Sequence, residues 1–283
     1  MRVIGIGDNV VDRYINKRIM FPGGNAVNFA AYARQCGAES AYLGLIADDA
    51  EGRLVHDSLE QLGVDVSESP LRAGLTTERC DVVLKEGDRV FQGCSYGEGE
   101  YRTLTLTEEN LEYLKGFQVI HCGCYACMED EIRKLAGFDA LKTFDFSCEE
   151  EYRTDEFLEK VCPYIDIALF SAEEMTQEQM KELREKVIGL GTKLVLITNG
   201  TRGQMLWDGK KEYPGKVKLL EPVDTMGAGD SFFTAFVVAM ARGGYDRNKP
   251  LDEALADRAF SEAADFSAGT CLVEGAFGFG TEY

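Results

Sequence analysis

Asp224-Thr225-Met226-Gly227-Ala228-Gly229-Asp230 runs directly into the apolar stretch Ser231-Phe232-Phe233-Thr234-Ala235-Phe236-Val237-Val238. Three small residues ahead of a helix leave the backbone uncovered, so successive N–H groups can converge on an anion at the helix start. The aligned peptide dipoles favour negative charge at the same point. Asp230 falls just inside the predicted helix, where dipoles and N–H groups are expected to keep it ionised. A carboxylate base beside a phosphate-sized anion hole is equipment for moving a phosphoryl group onto a hydroxyl. The plainer reading makes Asp224 or Thr225 an N-cap and the glycines a tight turn. A cap, a run of small residues and an acid before an apolar helix together favour the anion site. No Lys follows the glycines, so this is not the G-x-x-x-x-G-K-[ST] phosphate loop.

Outward from that junction, apolar runs alternate with helix-like segments. Val3–Gly7, Ala41–Ile46, Val119-Ile120, Lys142–Phe146, Ile165–Phe170 and Lys193–Thr198 read as strands. Between them, Asn25–Cys36, Ala50–Leu62, Glu129–Ala136, Thr154–Val161 and Glu173–Leu190 read as helices; Gly37, Gly63 and Gly191 stop the first two and the last. Such alternation predicts an α/β fold in three layers, a mostly parallel sheet with helices on both faces. Two stretches depart from it, Asp12–Met20 and Glu78–Tyr101. Cys80–Lys85 and Arg89–Gln92, joined by Glu86-Gly87-Asp88, look like a hairpin. Together they predict a small antiparallel flap, a lid of about residues 12–22 and 75–102, on a single domain spanning 1–283. The flap should lie over the sheet's C-terminal edge, where open α/β sheets bind ligands.

With 283 residues and 45% hydrophobic content, the chain can bury a large core and is not a disordered protein. A formal charge of −19 disfavours nucleic-acid and anionic-membrane partners, although a local nest can bind phosphate against that background. Asp8 interrupts the first apolar run too early for a signal peptide, and no segment approaches the roughly 20 apolar residues of a membrane span. A cytoplasmic location and nine reduced thiols are therefore expected. His121-Cys122-Gly123-Cys124-Tyr125-Ala126-Cys127 has metal-like spacing, but no second ligand pair accompanies it, and buried thiols are the default. Gly5-Ile6-Gly7 lacks the third glycine of a dinucleotide fingerprint.

Gly23-Gly24-Asn25-Ala26-Val27-Asn28 forms a second constellation. Paired glycines let the backbone approach a ligand, and each amide both donates and accepts. With Asp8 and Asp12 just upstream, the set suits a polyhydroxylated ligand. The alternative is an ordinary helix start capped by Asn25.

Taken together, these motifs resemble the ribokinase/PfkB family of carbohydrate kinases over essentially the whole chain. Asp224–Asp230 looks like the family's C-terminal signature and Gly23–Asn28 like its N-terminal one. Within the family the similarity is greatest to the branch that phosphorylates fructoselysine, through Ile6–Asp12, Gly23–Asn28, Asp88–Phe91, Phe144–Ser147 and Asp224–Phe232. The resemblance implies a ribokinase-like fold and ATP-dependent phosphorylation of a sugar hydroxymethyl group, with Mg²⁺ and a stimulating monovalent cation such as K⁺. It makes Asp230 the base and Gly227, Ala228 and Gly229 the anion hole. Asp12, Gly24, Asn25 and Asn28 become sugar contacts, with Asp8 and Arg89 as further candidates. Thr198 and Gly200 become nucleotide contacts, along with Gly227 and Gly229. Glu174 keeps the acid of a metal-organising Asn-x-x-Glu, but Ser171 stands where relatives have Asn, and the role of Asp145 stays open. Fructoselysine or a related fructosamino acid is the expected acceptor. Glu78, Glu98 and Glu100 could attract its amines, while Arg79, Arg89 and Arg102 could equally suit a phosphorylated sugar. Another sugar, nucleoside or sugar acid is the alternative, and a non-catalytic sugar or nucleotide sensor is the alternative of another class. Exposed flap edges suggest a homodimer through the lid.

Overall fold

The computed structural model describes residues 1–85, 87–95, 103–215 and 217–283. The flap positions Glu86, Glu98, Glu100, Tyr101 and Arg102 lie outside the described residues.

In chain order, β1 (Arg2–Gly7), β2 (Val10–Tyr14) and β3 (Ile19–Gly23) lead into α1 (Asn25–Gln35). Next come β4 (Glu39–Gly44), β5 (Ile46–Ala47), α2 (Ala50–Leu62) and β6 (Leu71–Arg72). The hairpin strands β7 (Glu78–Lys85) and β8 (Asp88–Ser95) precede α3 (Glu108–Leu114) and β9 (Val119–Gly123). Then follow β10 (Leu141–Asp145), α4 (Asp155–Val161), β11 (Ile167–Ser171), α5 (Gln177–Gly189) and β12 (Leu194–Thr198). The chain closes with β13 (Gln204–Trp207), β14 (Glu212–Gly215), α6 (Ala228–Arg242), α7 (Glu253–Thr270) and β15 (Thr281–Glu282).

Eight strands make the central sheet, in the order β14-β13-β12-β11-β10-β9-β1-β4. From β4 to β12 neighbours run parallel, and β13 and β14 add an antiparallel edge. Alternation along each strand sends side chains to two cores. Val195 and Ile197 join Phe144, Phe170, Leu158 and Met180 on one face. Leu194 and Leu196 join Phe232, Phe236 and Phe260 of α6 and α7 on the other. This is the three-layer α/β fold expected from the alternation. Five strands, β15-β3-β2-β7-β8, form a second sheet over α1 and α2. Its pairs are antiparallel except β2 with β7, which run parallel.

Three local expectations change. Glu129–Ala136 is not an α-helix; only a tight 3-10 turn over Ile132–Leu135 forms, the segment being too short to propagate from a costly nucleus. The helix expected from Glu173 begins at Gln177, because Thr176 and Gln179 form a reciprocal capping box there. The nine cysteines are not all reduced: Cys80 and Cys94, paired across β7 and β8, form a disulfide.

Candidate active site

β1 has β4 on one side and β9 on the other, so the strand order reverses between β1 and β9. Crossovers leave that point in opposite directions and open a crevice at the carboxyl ends of the strands. Asp8 follows β1, Asp145 ends β10, Ser171 ends β11 and Thr198 ends β12, so all four reach this edge.

The second constellation builds the floor of the crevice. Gly24 sits at φ 109° ahead of α1 and supplies no side-chain cap. Asp8 caps the helix instead, accepting from Asn25 N at 2.6 Å and Ala26 N at 3.2 Å. A Cβ on Gly24 would meet Asn9 Cα at 2.9 Å and Asp8 Oδ2 at 3.0 Å, so glycine is required here. Each Asp8 oxygen thus accepts one N–H from the start of α1. Burial raises its pKa to about 6, against the pull of those N–H donors.

Asp230 is the third residue of α6 and is aimed back across the crevice at α1. Asn28 Nδ2 donates to its Oδ2 at 2.6 Å and Asn25 Nδ2 to its Oδ1 at 3.0 Å. Burial raises its pKa although both amides lower it; removal from water outweighs the helix start that was expected to keep it ionised. The remaining Asn25 amide hydrogen goes to Asp145 Oδ2 at 2.8 Å, and its Oδ1 faces His121 Nε2 at 2.9 Å. With both ends engaged, Asn25 holds acids in place rather than presenting a free amide. Asn28 differs, because its Oδ1 is buried without a partner among the described residues.

The small-residue loop before Asp230 adopts the uncovered form. Gly227 has φ 70°, and a Cβ there would meet Tyr32 Oη at 2.3 Å. Ala228 N donates to Thr225 O at 3.2 Å, which takes Ala228 out of the expected set of open amides. Among the described residues the N–H groups of Gly227, Gly229 and Asp230 have no internal acceptor, the usual condition of a first helical turn. A Cβ on Gly229 would meet nothing within 4 Å, so this approach is open.

Asp12 enters from β2 in the second sheet. It is buried, and no hydrogen bond to its carboxylate exists among the described residues. Burial, then the Asp230 charge, raises its pKa to about 7; the Arg89 charge opposes the rise. Asp145 is raised to about 7 for the same leading reasons. Arg89, at the start of β8, donates through Nη1 to Thr225 Oγ1 at 2.9 Å. Thr225 donates in turn to Asp88 Oδ1 at 2.9 Å, and its N–H donates to Gly87 O at 3.1 Å. The tip of the hairpin therefore rests on the loop that opens α6.

Thr198 Oγ1 lies 3.3 Å from Ser171 Oγ at the ends of neighbouring strands, and Gly200 begins the turn just beyond. Glu174 is exposed in the turn between β11 and α5, outside the helical turn expected for it. Among the described residues no side-chain hydrogen bond or ion pair joins Glu174, Thr198 or Gly200 to the Asp230 cluster. The His121–Cys127 motif does not converge on a shared point either: His121 faces Asn25 and Thr143, while Cys122 and Cys124 pack in the core. Sequence reasoning missed His121 and Thr143 as members of the site and left Asp145 without a role.

Residues 5–257 match the model of the pfkB family of carbohydrate kinases. This chain belongs to that family. It is 33% identical over 287 residues to the fructosamine kinase FrlD of Bacillus subtilis (strain 168), covering all of this chain and 95% of that one. It is 31% identical over 238 residues to fructoselysine 6-kinase of Escherichia coli (strain K12), covering 84% and 88%. Probable fructokinase-5 of Arabidopsis thaliana is more distant, at 27% identity over 83% of this chain and 79% of that one. Among solved structures, a fructokinase from Vibrio cholerae O395 in its fructose, ADP and calcium ion bound form superposes with a TM-score of 0.77 at 20% identity. That match covers 98% of this chain and 94% of the other, and it shows the ribokinase-like fold. The protein is thus a sugar kinase, and among the described residues no helix is long and apolar enough to cross a membrane.

Proposed function

We propose that this kinase transfers the γ-phosphoryl group of ATP to the 6-hydroxyl of fructoselysine or a related fructosamino acid. The observation that carries the chemistry is the Asp230 carboxylate, gripped by Asn25 and Asn28 beside a helix start whose N–H groups lack internal acceptors. The fructosamine and fructoselysine kinases at 31–33% identity support the acceptor.

Asp230 takes the proton of the acceptor hydroxyl as that oxygen bonds to the γ-phosphorus. The bond from γ-phosphorus to the bridging oxygen breaks, and ADP carries away the electron pair. The N–H groups of Gly227 and Gly229 bind the moving phosphoryl oxygens, joined by Ala228 if its turn to Thr225 opens. Asp12 accepts from sugar hydroxyls, and the orphaned Asn28 Oδ1 accepts from another. Gly24 lets the sugar approach the backbone. Arg89 answers negative charge on the transferred group, while Thr198 and Gly200 contact the nucleotide. The second sheet acts as a lid that excludes water from the reaction.

A Mg²⁺ ion usually keeps several waters and takes one or two carboxylates plus phosphate oxygens. Glu174, exposed at the same sheet edge, fits that donor set and would hold the ion's water shell. When bound, Mg²⁺ would neutralise phosphate charge.

The test is ADP release with fructoselysine, other fructosamino acids, fructose and ribose, run in K⁺ and in Na⁺ salts. Higher kcat/KM for fructose or ribose than for every fructosamino acid would overturn the acceptor assignment. We place the reaction in the cytoplasm, where ATP is supplied. We also place a homodimer at the outer edge of β8, whose residues are mostly exposed; sedimentation as a monomer at micromolar concentration would rule it out.

A further inference from the structure

We infer that His121 is a positioning residue for phosphoryl transfer: it anchors the oxygen end of the Asn25 amide, and through that amide it holds Asp230 and Asp145. The inference rests on the kinase reading for its link to turnover, but its geometry is independent of the acceptor.

An Asn side chain has an acceptor at one end and a two-hydrogen donor at the other, and a half-turn exchanges them at almost no change in shape. Two carboxylates, Asp145 Oδ2 at 2.8 Å and Asp230 Oδ1 at 3.0 Å, lie on one side of Asn25. Only the NH₂ end satisfies both. The amide oxygen must then face the other way, where burial demands a donor. His121 Nε2 stands there at 2.9 Å. Its Nδ1 lies 2.9 Å from the Thr143 hydroxyl. Because the Asn25 oxygen can only accept, a proton sits on Nε2, and in neutral histidine Nδ1 accepts from Thr143. With histidine neutral, the chain Thr143 to His121 to Asn25 to the two acids donates in a single direction.

Three further features hold that state. His121 is 1% exposed, and burial lowers its pKa to about 3, so it stays neutral at working pH. Its ring stacks on Phe29 with centroids 4.3 Å apart and meets the Phe233 ring at 5.6 Å. Two residues on, a Cβ at Gly123 would lie 2.3 Å from Asn25 Oδ1, so β9 supplies both the donor and the clearance. Without the Nε2 donor the buried amide oxygen loses its partner, and the amide is no longer held square to the two carboxylates. Asp230 is already surrounded by the charges of Asp8, Asp12, Asp145 and Arg89, with Tyr32 and Asn28 on α1 behind it. A weaker grip by the Asn25 NH₂ group would raise the protonation midpoints of Asp145 and Asp230.

The experiment compares His121→Phe, which keeps a ring for the aromatic stack, with His121→Gln, which keeps a side-chain N–H, and with Thr143→Val. Carboxyl ¹³C NMR follows the titration of Asp145 and Asp230 in the intact protein, and kcat and KM are measured from pH 5 to 9. In His121→Phe the carboxyl midpoints should rise by about one pH unit, and the acid limb of kcat/KM should move with them. Its kcat at neutral pH should fall about tenfold or more with a smaller change in sugar KM. His121→Gln should restore most of both, and Thr143→Val should fall between. Unchanged carboxyl midpoints in a folded His121→Phe protein, or equal effects of Phe and Gln, would overturn the inference. Absence of turnover by the unaltered protein on every sugar would instead defeat the kinase reading, while the NMR titration still decides the role of His121.

Discussion

Arg89 reaches from the hairpin tip to donate to the Thr225 hydroxyl at 2.9 Å, five residues before Asp230. The same hydroxyl donates to Asp88, so one threonine joins the hairpin to the loop that we propose holds phosphate. Thr225→Val cuts this link while leaving the glycines intact. We expect kcat/KM for the sugar to fall about fivefold to tenfold, and by about 10–100-fold in Arg89→Ala, which also loses the cation. A looser cover also admits water, so ADP formed per sugar phosphate should rise above the unaltered protein's ratio. Product counting by chromatography checks this; an unchanged ratio and rate in both variants would remove the link from the mechanism.

Asp230→Asn keeps the size of the side chain but cannot accept the proton. Its kcat should drop by about 10²–10⁴, while sugar and ATP KM values change by less than about threefold. Steady-state kinetics over both substrates separate the two effects. A near-normal kcat would refute the base assignment.

The raised Asp230 pKa has a definite sign in the rate profile. A base works only when deprotonated, so kcat is retained above its pKa and lost as pH falls through it. Because burial lifts that pKa, the acid limb should have a midpoint above the ordinary carboxylate value. A limb at or below that value would mean that binding of substrate restores the ionised form.

Asp12 makes the opposite contribution to stability. Its pKa is about 7 in the fold and near an ordinary carboxylate when unfolded, so the folded chain binds the extra proton. That stabilisation is complete below the unfolded value and is lost as pH rises through about 7. Asp12→Asn should therefore stabilise the ligand-free protein at pH 8 by about 1–3 kcal/mol and lower sugar turnover. Urea unfolding at pH 5 and pH 8 checks this, with the smaller gain at pH 5.

Glu174→Gln should raise the Mg²⁺ concentration for half-maximal activity by about fivefold or more, with sugar KM unchanged. Titrating Mg²⁺ at fixed ATP tests it. An unaltered midpoint would make Glu174 an ordinary surface acid.

The central sheet was legible because buried parallel strands leave dense apolar runs, as in Lys193–Thr198. Asp230 and its small-residue loop were legible because a helix start is a local matter. The antiparallel edge β13 and β14 was not anticipated; its strands have four residues each and little periodicity. His121 was weighed only as part of a metal-like motif. Nothing local ties it to the helix-start motif, and its partner Asn25 is 96 residues away. Asp145 meets Asn25 across 120 residues and Asp230 across the same amide. The capping role of Asp8 was not read from the sequence because it depends on the positive φ of Gly24, which brings the start of α1 back to the end of β1.

Cys80 and Cys94 tie β8 covalently to β7, and Cys80 stands in register with Asp12 on the next strand. An edge strand ordinarily frays by peeling away from its neighbour. This one cannot leave alone while the cross-link is intact. We expect the paired strands to move as one plate, so that any opening of the hairpin carries Arg89 away from Thr225 in a single movement.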